Sequence, residues 1–229
     1  TEHARRYLFS EGVKKESIFV TGSPMAEVIS VNKEKIESNN VLDELKIEKG
    51  KYILLSAHRE ENIDNETNFS ELMNAVNAMA VKYNLPVIYS MHPRSKKYIT
   101  QRNFKFNELI RPLEPFGFSD YISLQKNALC VVSDSGTLAE ESALLNFPSV
   151  SIRTSTERPE VLDKGSFIIG SISEKSLLQA VDMAVMMSAN NEESVVATDY
   201  VDTNVSIKVV KIIQSYIDII NRKVWGKLL

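Results

Sequence analysis

The sequence predicts an α/β fold in which helices cover both faces of a parallel sheet. Short apolar runs rich in Val, Ile and Leu recur along the 229 residues, and segments of helical length separate several of them. Strands that are apolar at consecutive positions are buried on both faces, as the strands of a parallel sheet are. The alternation of such strands with helices therefore favours the α/β class.

Seven runs are predicted to be strands, and several of the segments between them are predicted to be amphipathic helices. The strands lie at residues 17–22, 51–57, 86–91, 107–113, 129–134, 148–152 and 166–170. The helices lie at residues 68–84, 117–128 and 136–147. After a polar connector at about 186–204, a long C-terminal helix is predicted from the apolar positions Val209, Ile212, Ile213, Tyr216, Ile219 and Ile220.

This order of elements divides the chain into two parts of unequal length. We expect residues 1–190 to form one domain, and residues 191–229 to form a connector and a helix that packs on another surface. Residues 2–12 have the spacing of a helix that is already under way, with Gly12 as its end and no initiator Met before it. We therefore expect the chain to be a fragment of a longer protein.

The composition is that of an ordinary globular protein, with 43% hydrophobic and 25% charged residues. The 27 basic and 30 acidic residues give a net charge of −3, which does not favour binding to nucleic acid or to a membrane surface. No apolar run approaches the roughly 20 residues of a membrane-spanning helix. The single cysteine, Cys130, lies in an apolar run and fits a reducing compartment. We expect a soluble, cytoplasmic protein without nucleic-acid or membrane partners.

Common metal and cofactor motifs are absent from the sequence. The three histidines are far apart, and neither paired cysteines nor a His-x-x-x-His spacing occurs. Neither GxxxxGK[ST] nor GxGxxG is present. We therefore expect no metal and no bound cofactor.

Small polar residues follow the predicted strand 129–134, where a helix is expected to begin. In parallel α/β sheets, ligands bind beyond the carboxyl ends of the strands. Ser135 and Gly136 would lie at the N-terminus of the helix, where unpaired N–H groups and the positive end of the helix dipole suit a phosphate. In the alternative interpretation, Asp134 or Ser135 is simply the N-cap of that helix. The motif alone favours neither interpretation.

Two adjacent acids, Glu140 and Glu141, follow within the same helix. A carboxylate there is unsuited to phosphate but accepts hydrogen bonds from the hydroxyls of a ribose. Glu141 is the predicted ligand, whereas a solvated helix face is the alternative for Glu140. Beyond the next strand, Arg153 and Arg158 lie on a polar loop at the same edge of the sheet. Arg158 suits a phosphate oxygen or a structural salt bridge about equally.

Basic residues also follow two further predicted strands. The strand 51–57 delivers His58 and Arg59 to the same sheet edge, where a histidine donates to a phosphate or acts as an acid or base. The position of His58, rather than its residue type, favours a functional role. His92 follows the strand 86–91 in the same way, although the lysines beyond it are expected to belong to a surface turn.

Three motifs carry a resemblance to a known family: AHREEN (57–62), SDSGTLAEE (133–141) and RTSTERPE (153–160). In this order and spacing they resemble the non-hydrolysing bacterial UDP-N-acetylglucosamine 2-epimerases, and the similarity extends over nearly the whole chain. Residues 2–24 resemble the passage that leads into the C-terminal domain in that family. AHREENID and the final helix are most similar to the capsule and O-antigen branch, which forms UDP-N-acetyl-L-fucosamine from its L-talo 2-epimer.

The resemblance implies a GT-B architecture, in which two Rossmann-like domains enclose the active site. This chain would be the C-terminal, UDP-binding half, with its final helix packing towards the missing N-terminal domain of a homodimeric enzyme. The matching residues are assigned by their place around the UDP-sugar: Ser135 and Gly136 at the diphosphate, Glu141 at the ribose, Arg158 at the nucleotide, His58 at the β-phosphate and sugar, and Phe116 and Tyr121 in the segment that frames the uracil. Phe116 replaces a more polar residue, so the base contact there would fall to backbone atoms. Arg59 and His92 match positions beside a second nucleotide-sugar that some members bind.

The implied reaction inverts C2 of a UDP-N-acetylhexosamine. UDP is eliminated in the anti sense to give a 2-acetamidoglycal, and it adds again after the opposite face has been protonated. The carboxylates that abstract the C2 proton come from the N-terminal half in this family, so the chain alone is expected to be inactive, with His58 as its catalytic residue. Two other functions remain open from the sequence: the donor-binding half of a GT-B glycosyltransferase, and a non-catalytic nucleotide-sugar sensor.

Overall fold

A parallel sheet of six strands lies at the centre of the larger of two compact units. The computed structural model describes residues 1–156, 158–190 and 195–227. Within these residues the strands are β1 (Ile53–Ser56), β2 (Val87–Ser90), β3 (Ile110–Leu113), β4 (Cys130–Ser133), β5 (Ser149–Ile152) and β6 (Ile168–Gly170). Their order across the sheet is β3-β2-β1-β4-β5-β6, and every neighbouring pair is parallel. This is the order of a doubly wound, Rossmann-like sheet, which confirms the predicted fold class.

Helices connect the strands and also form the two ends of the described chain. They are α1 (Glu2–Ser10), α2 (Met25–Val31), α3 (Lys33–Glu37), α4 (Val41–Leu45), α5 (Glu60–Ile63), α6 (Glu66–Tyr83), α7 (Pro93–Gln101), α8 (Phe118–Asn127), α9 (Leu138–Leu145), α10 (Pro159–Asp163), α11 (Glu174–Ala189) and α12 (Val205–Lys223). The four helices predicted between strands and at the C-terminus correspond to α6, α8, α9 and α12. Among the described residues, no helix has both the length and the apolar content to cross a membrane.

Different helices bury the two faces of the sheet, because side chains alternate along each strand. Ile53 and Leu55 of β1 belong to one apolar cluster, which includes residues of α6 and α11. Leu54 and the preceding Tyr52 belong to a second cluster, which includes residues of α4 and α8. All four side chains are fully buried. The consecutive apolar residues of the strand therefore reflect burial on both faces, as predicted.

Local sequence sets both ends of the long helix α6. The side-chain oxygen of Asn65 accepts hydrogen bonds from the backbone N–H groups of Thr67 and Asn68, which caps the first turn. The helix ends at Asn84, which takes a left-handed conformation with φ of 49°. Asparagine tolerates this region better than most residues, so the helix stops before β2 begins.

The described chain forms two compact units. The sheet unit comprises Asn32–Val196, and the terminal unit comprises Thr1–Val31 together with Ala197–Leu229. Within the terminal unit the backbone N–H of Ser23 donates to the carbonyl of Asp199 over 2.7 Å, and the N–H of Glu2 donates to the Asp199 side chain. The order of elements predicts one domain over residues 1–190 instead, because nothing in the apolar pattern shows that the first residues pair with those beyond 197.

The predicted strand at residues 17–22 is wrong. Lys15–Ser17 form a 3₁₀ turn, and the segment after it is extended but joins no sheet in the described chain. Ile18 is buried, and the ring of Phe19 packs edge-on against Tyr216 of α12, with centroids 4.9 Å apart. The segment therefore contacts a helix through Phe19, which is still 41% exposed, and it does not pair with a neighbouring strand.

Gly170 ends β6 where the sheet and α11 approach each other closely. A Cβ at this position would lie 2.9 Å from Cγ1 of Val150 and 3.3 Å from Cβ of Ala180. We expect Gly170→Ala to lower the free energy of unfolding by about 1–3 kcal/mol, the usual cost of overpacking a core. Gly117→Ala is the control, because its Cβ would have its nearest contact at 3.7 Å, with Asp120. Urea unfolding measures both variants, and equal losses would contradict the close packing at Gly170.

Candidate functional site

β1 and β4 form the topological switch point of the sheet. They are neighbours, with Ser56 paired to Ser133, yet the chain continues from β1 to β2 on one side and from β4 to β5 on the other. The loops that leave the two strands therefore diverge, which opens a crevice at their carboxyl ends. His58 and Arg59 follow β1, and Asp134 follows β4, so these residues lie at the crevice.

Asp134 is fully buried at this point and is bonded to the loop after β1. Its Oδ2 accepts hydrogen bonds from the backbone N–H groups of His58 and Arg59, each over 2.8 Å, and from Nδ2 of Asn62 over 3.2 Å. Its backbone carbonyl accepts a further bond from Nε of Arg59. Because a buried carboxylate is costly unless donors surround it, these bonds hold the loop after β1 against the end of β4.

Neither Asp134 nor Ser135 caps the helix that follows, so the capping interpretation is wrong. Helix α9 has Thr137 as its N-cap residue, and the Thr137 side chain makes no capping hydrogen bond. The backbone N–H of Ser135 donates to Oγ of Ser133, and its hydroxyl lies 3.0 Å from the hydroxyl of Thr137. The positive end of the α9 dipole therefore faces a turn of small polar residues.

Two arginine side chains from the loop after β5 lie beside Gly136. A Cβ at Gly136 would lie 3.1 Å from Nη1 of Arg158 and 3.8 Å from Nη1 of Arg153. Nε of Arg158 is 3.4 Å from Oε1 of Glu140, so this arginine forms a salt bridge and also faces the turn. Glu140 is only 8% exposed, so the solvated-face interpretation of Glu140 is wrong. The helix N-terminus and two guanidinium groups together favour an anion beside Gly136.

Glu141 is buried in the first turn of α9. Its Oε2 accepts a hydrogen bond from Nε2 of Gln125 over 2.6 Å. Burial raises the pKa of Glu141, although hydrogen bonds from Gln125 and Thr137 oppose this shift. Glu141 therefore offers an oxygen acceptor in a sheltered position, which suits a neutral hydroxyl donor better than a phosphate.

Tyr121 and Phe116 belong to the segment that leads into α8 and its first turns. Both pack against the second apolar cluster. Burial, together with the nearby carboxylate of Glu141, raises the pKa of Tyr121, whose hydroxyl interacts with Ser56 and Ser133. The structure thus brings Tyr121 to Glu141 and to the ends of β1 and β4. Phe116 differs from Tyr121 in this respect, because no hydrogen bond or ring contact joins it to Glu141 among the described residues.

His58 contacts Asp134 and also lines a wide cavity. Its Nδ1 lies 3.1 Å from Oδ1 of Asp134, and 37% of its side chain is exposed. Its ring centroid is 5.3 Å from that of His92, the N-cap residue of α7. The cavity has a volume of about 500 Å³ and is lined by His58, Arg59, Glu60, Glu61, His92 and Arg94. The three basic residues predicted from two separate strand ends therefore meet at one cavity.

The sequence pattern did not predict a site role for Asn62, Gln125 or Asp134. Asn62 and Asp134 both lie within the motifs quoted above, and each follows the end of a strand. That placement was the available signal, but their hydrogen bonds join residues 72 to 76 positions apart. Gln125 lies on a buried helix face, where the only signal was a polar residue at an apolar position.

Comparison with known proteins identifies the family. A family model described as UDP-N-acetylglucosamine 2-epimerase matches residues 1–214. This chain belongs to that family. A member from Methanococcus maripaludis is 34% identical over 189 residues, which cover 80% of this chain and 52% of that protein. A member from Methanocaldococcus jannaschii is 31% identical over 203 residues, which cover 83% of this chain and 54% of that protein.

Solved structures of epimerases have the same fold as this chain. The UDP-N-acetylglucosamine 2-epimerase of Rickettsia bellii has a TM-score of 0.90 and 39% identity, with 99% of this chain and 61% of that chain covered. The Methanocaldococcus jannaschii enzyme, solved in complex with UDP-GlcNAc and UDP, has a TM-score of 0.84 and 28% identity, with 94% and 59% covered. The chain therefore spans between about half and three fifths of the length of these epimerases.

The raised pKa of Glu141 predicts a pH-dependent contribution to stability. The folded state holds the Glu141 proton more tightly than the unfolded state does, so this contribution is complete below the unfolded pKa of about 4.5 and is lost as pH rises through the folded pKa. Gln cannot ionise. We therefore expect Glu141→Gln to gain stability relative to the parent chain as pH rises above 4.5.

Urea unfolding of both chains at several pH values measures this difference. Glu71→Gln, at an exposed position of α6, is the matched control. A stability difference for Glu141→Gln that stays constant over this pH range would contradict the expectation.

Proposed function

We propose that this chain is the UDP-binding half of a UDP-N-acetylhexosamine 2-epimerase. One observation carries the proposal: two arginines, a helix N-terminus and a buried carboxylate converge at the switch point of the sheet. The carboxyl ends of the strands in such a sheet are where nucleotides bind. The names of the relatives support the same activity, and the Methanocaldococcus enzyme was solved with UDP-GlcNAc and UDP.

The diphosphate would lie against the turn at Ser135 and Gly136. Gly136 has no Cβ, so an anion can approach the backbone at the start of α9 closely. Arg158 and Arg153 approach the same point with Nη1, and a guanidinium group donates two parallel hydrogen bonds to phosphate oxygens. The salt bridge to Glu140 keeps Arg158 in place before the ligand arrives.

The ribose would follow at Glu141, which lies on α9 beyond the proposed diphosphate site. Its carboxylate accepts hydrogen bonds from two neighbouring hydroxyls, and Gln125 fixes its orientation. Phe116 and Tyr121 would frame the uracil from the segment before and within α8. Because Phe116 presents an apolar ring, the polar edge of the base would be met by backbone groups.

The reaction follows from where the charge develops. When a base removes the C2 proton, the electron pair forms the C1–C2 double bond and UDP leaves with the C1–O bond electrons. His58 and Arg158, with the α9 dipole, stabilise the negative charge on the departing diphosphate, which is electrostatic catalysis. Protonation of C2 from the opposite face and return of UDP to C1 complete the inversion. The base would be a carboxylate of the N-terminal half, so this chain alone is inactive.

The wider assembly is part of the proposal. Helix α12 has many partly exposed apolar side chains, of which Val210, Ile213 and Ile217 are 64%, 59% and 49% exposed, and this face would pack towards the missing N-terminal domain. The complete enzyme would be a homodimer, which sedimentation of the longer protein measures.

The free, buried thiol of Cys130 fits the cytoplasm.

Two finer assignments rest on the sequence resemblance. The wording AHREENID and the final helix favour the branch that converts a UDP-N-acetyl-L-talosamine-type sugar to UDP-N-acetyl-L-fucosamine for capsule or surface polysaccharide. Arg59 and His92, which line one cavity with His58, would contact a second nucleotide-sugar. The positive charge of Arg59 suits its phosphates.

Calorimetric titration of this chain tests the nucleotide site. UDP is expected to bind more tightly than uridine, because the arginines contact the diphosphate. Arg158→Ala should weaken UDP binding about 10- to 100-fold, the range for hydrogen bonds to charged groups, and should leave uridine binding nearly unchanged. Lys35→Ala, on the exposed side of α3, is the control. An equal loss of UDP and uridine affinity in Arg158→Ala would place the diphosphate elsewhere.

Activity is tested on the longer protein that contains this chain. With UDP-GlcNAc in heavy water, we expect formation of the C2 epimer and deuterium at C2 without any acceptor, and none of either with the 229-residue chain alone. The same assay with a UDP-N-acetyl-L-talosamine-type sugar decides whether that sugar or UDP-GlcNAc is the substrate. An absolute need for an acceptor would contradict an epimerase, and deuterium incorporation by the isolated chain would contradict its assignment as a binding half.

A further inference from the structure

We propose that Asp134 and Asn62 are positioning residues that fix the orientation and the tautomer of His58 relative to the diphosphate site. The proposal rests on the proposed function for the role of His58, but its geometry belongs to this chain alone. It adds two residues to the site that do not contact the ligand and act through their neighbours.

Asp134 fixes the backbone that carries His58. Its Oδ2 accepts two successive backbone N–H groups, those of His58 and Arg59, over 2.8 Å each. The backbone N–H of Asp134 in turn donates to the carbonyl of Ser56 over 3.1 Å. The ends of β1 and β4 are therefore joined in both directions just before their loops diverge, and His58 cannot shift without leaving a buried charge short of donors.

Asn62 connects this pair of strands to a third one. Its buried Nδ2 group has two hydrogens and makes two bonds, over 3.2 Å to Oδ2 of Asp134 and over 3.0 Å to the carbonyl of Ile152. Ile152 ends β5 and immediately precedes Arg153. One amide group thus sets the His58 loop against the loop that brings the arginines to Gly136.

The second oxygen of Asp134 determines which nitrogen of His58 carries the proton. Oδ1 of Asp134 and Nδ1 of His58 are both buried, and neither makes a hydrogen bond among the described residues. They lie 3.1 Å apart, so a proton on Nδ1 satisfies both atoms. The Nε2 atom, on the opposite edge of the ring, is then the nitrogen that faces the ligand, and it donates to the departing diphosphate when the ring holds a second proton there.

The Asp134→Asn substitution separates positioning from packing. The new side chain has the same shape, and its oxygen can still accept the two backbone N–H groups. Its NH₂ group would then face Nδ1 of His58 and donate to it, which forces the ring proton onto Nε2. The substitution therefore reverses the tautomer while most of the local packing is kept.

Nitrogen-15 NMR of the imidazole rings at a pH where they are neutral measures this directly. The chain has three histidines, and His58→Gln identifies the His58 signals by their loss. We expect the proton on Nδ1 in the parent chain and on Nε2 in Asp134→Asn. A proton on Nε2 in the parent chain overturns the proposal even if the variant does not fold, and an unchanged tautomer in a folded variant also overturns it.

Kinetics of the longer protein supply the functional readout. Asp134→Asn and Asn62→Ala are expected to lower kcat about 100-fold, the scale of a misplaced catalytic group, and to change KM less than about threefold. Asp43→Asn, at an exposed position of α4, is the control with parent activity. A fall in kcat that is matched by a rise in KM of the same factor would indicate a merely structural role. If the parent enzyme has no epimerase activity, the proposed function fails, while the NMR result still decides the positioning of His58.

Discussion

The buried carboxylate of Asp134 is the constraint on which the crevice depends. Moving a charged group out of water costs several kcal/mol unless hydrogen-bond donors replace the lost water. Here the donors are two backbone N–H groups and the Asn62 amide, all from the loop and helix that follow β1. The strand order opens a crevice between β1 and β4. The hydrogen bonds of the Asp134 carboxylate then fix the positions of the loops on either side of it.

The same end of the sheet holds acids next to a proposed anion site, and the arrangement explains how both are accommodated. Glu140 is paired with Arg158, so its charge is largely balanced within the site. Glu141 is buried, which raises its pKa, and Gln125 donates a hydrogen bond to it. The Nη1 atoms of Arg153 and Arg158 lie near Gly136, together with the positive end of the α9 dipole.

Much of the fold follows from apolar patterning, whereas the hydrogen bonds that join distant loops do not. The six true strands were visible as short apolar runs, and β1, β2 and β4 are buried on both faces. Residues 17–22 form a similar run, but there Phe19 contacts Tyr216 of α12 and not a neighbouring strand. Composition indicates burial and does not identify the partner. For the site, the turn at Ser135 and Gly136 was readable from the order of strand, glycine and helix. The hydrogen bond from Asn62 to Asp134 forms only because β1 and β4 are neighbours in the sheet. The crossover connections determine that neighbourhood, and the local sequence does not show it.

Three of the side chains proposed to meet the ligand are already held by a partner from another element. His58 is held by Asp134, Arg158 by Glu140, and Glu141 by Gln125. Such pairs restrict the side chains before binding, so less conformational entropy is lost when the ligand arrives. In the proposed reaction these pairs also direct binding free energy towards the diphosphate, where charge would accumulate as UDP departs. An interaction accelerates a reaction only when it is stronger in the transition state than in the bound substrate. Rigid cations placed at the leaving group meet this condition, because the negative charge on the diphosphate grows as the C1–O bond breaks.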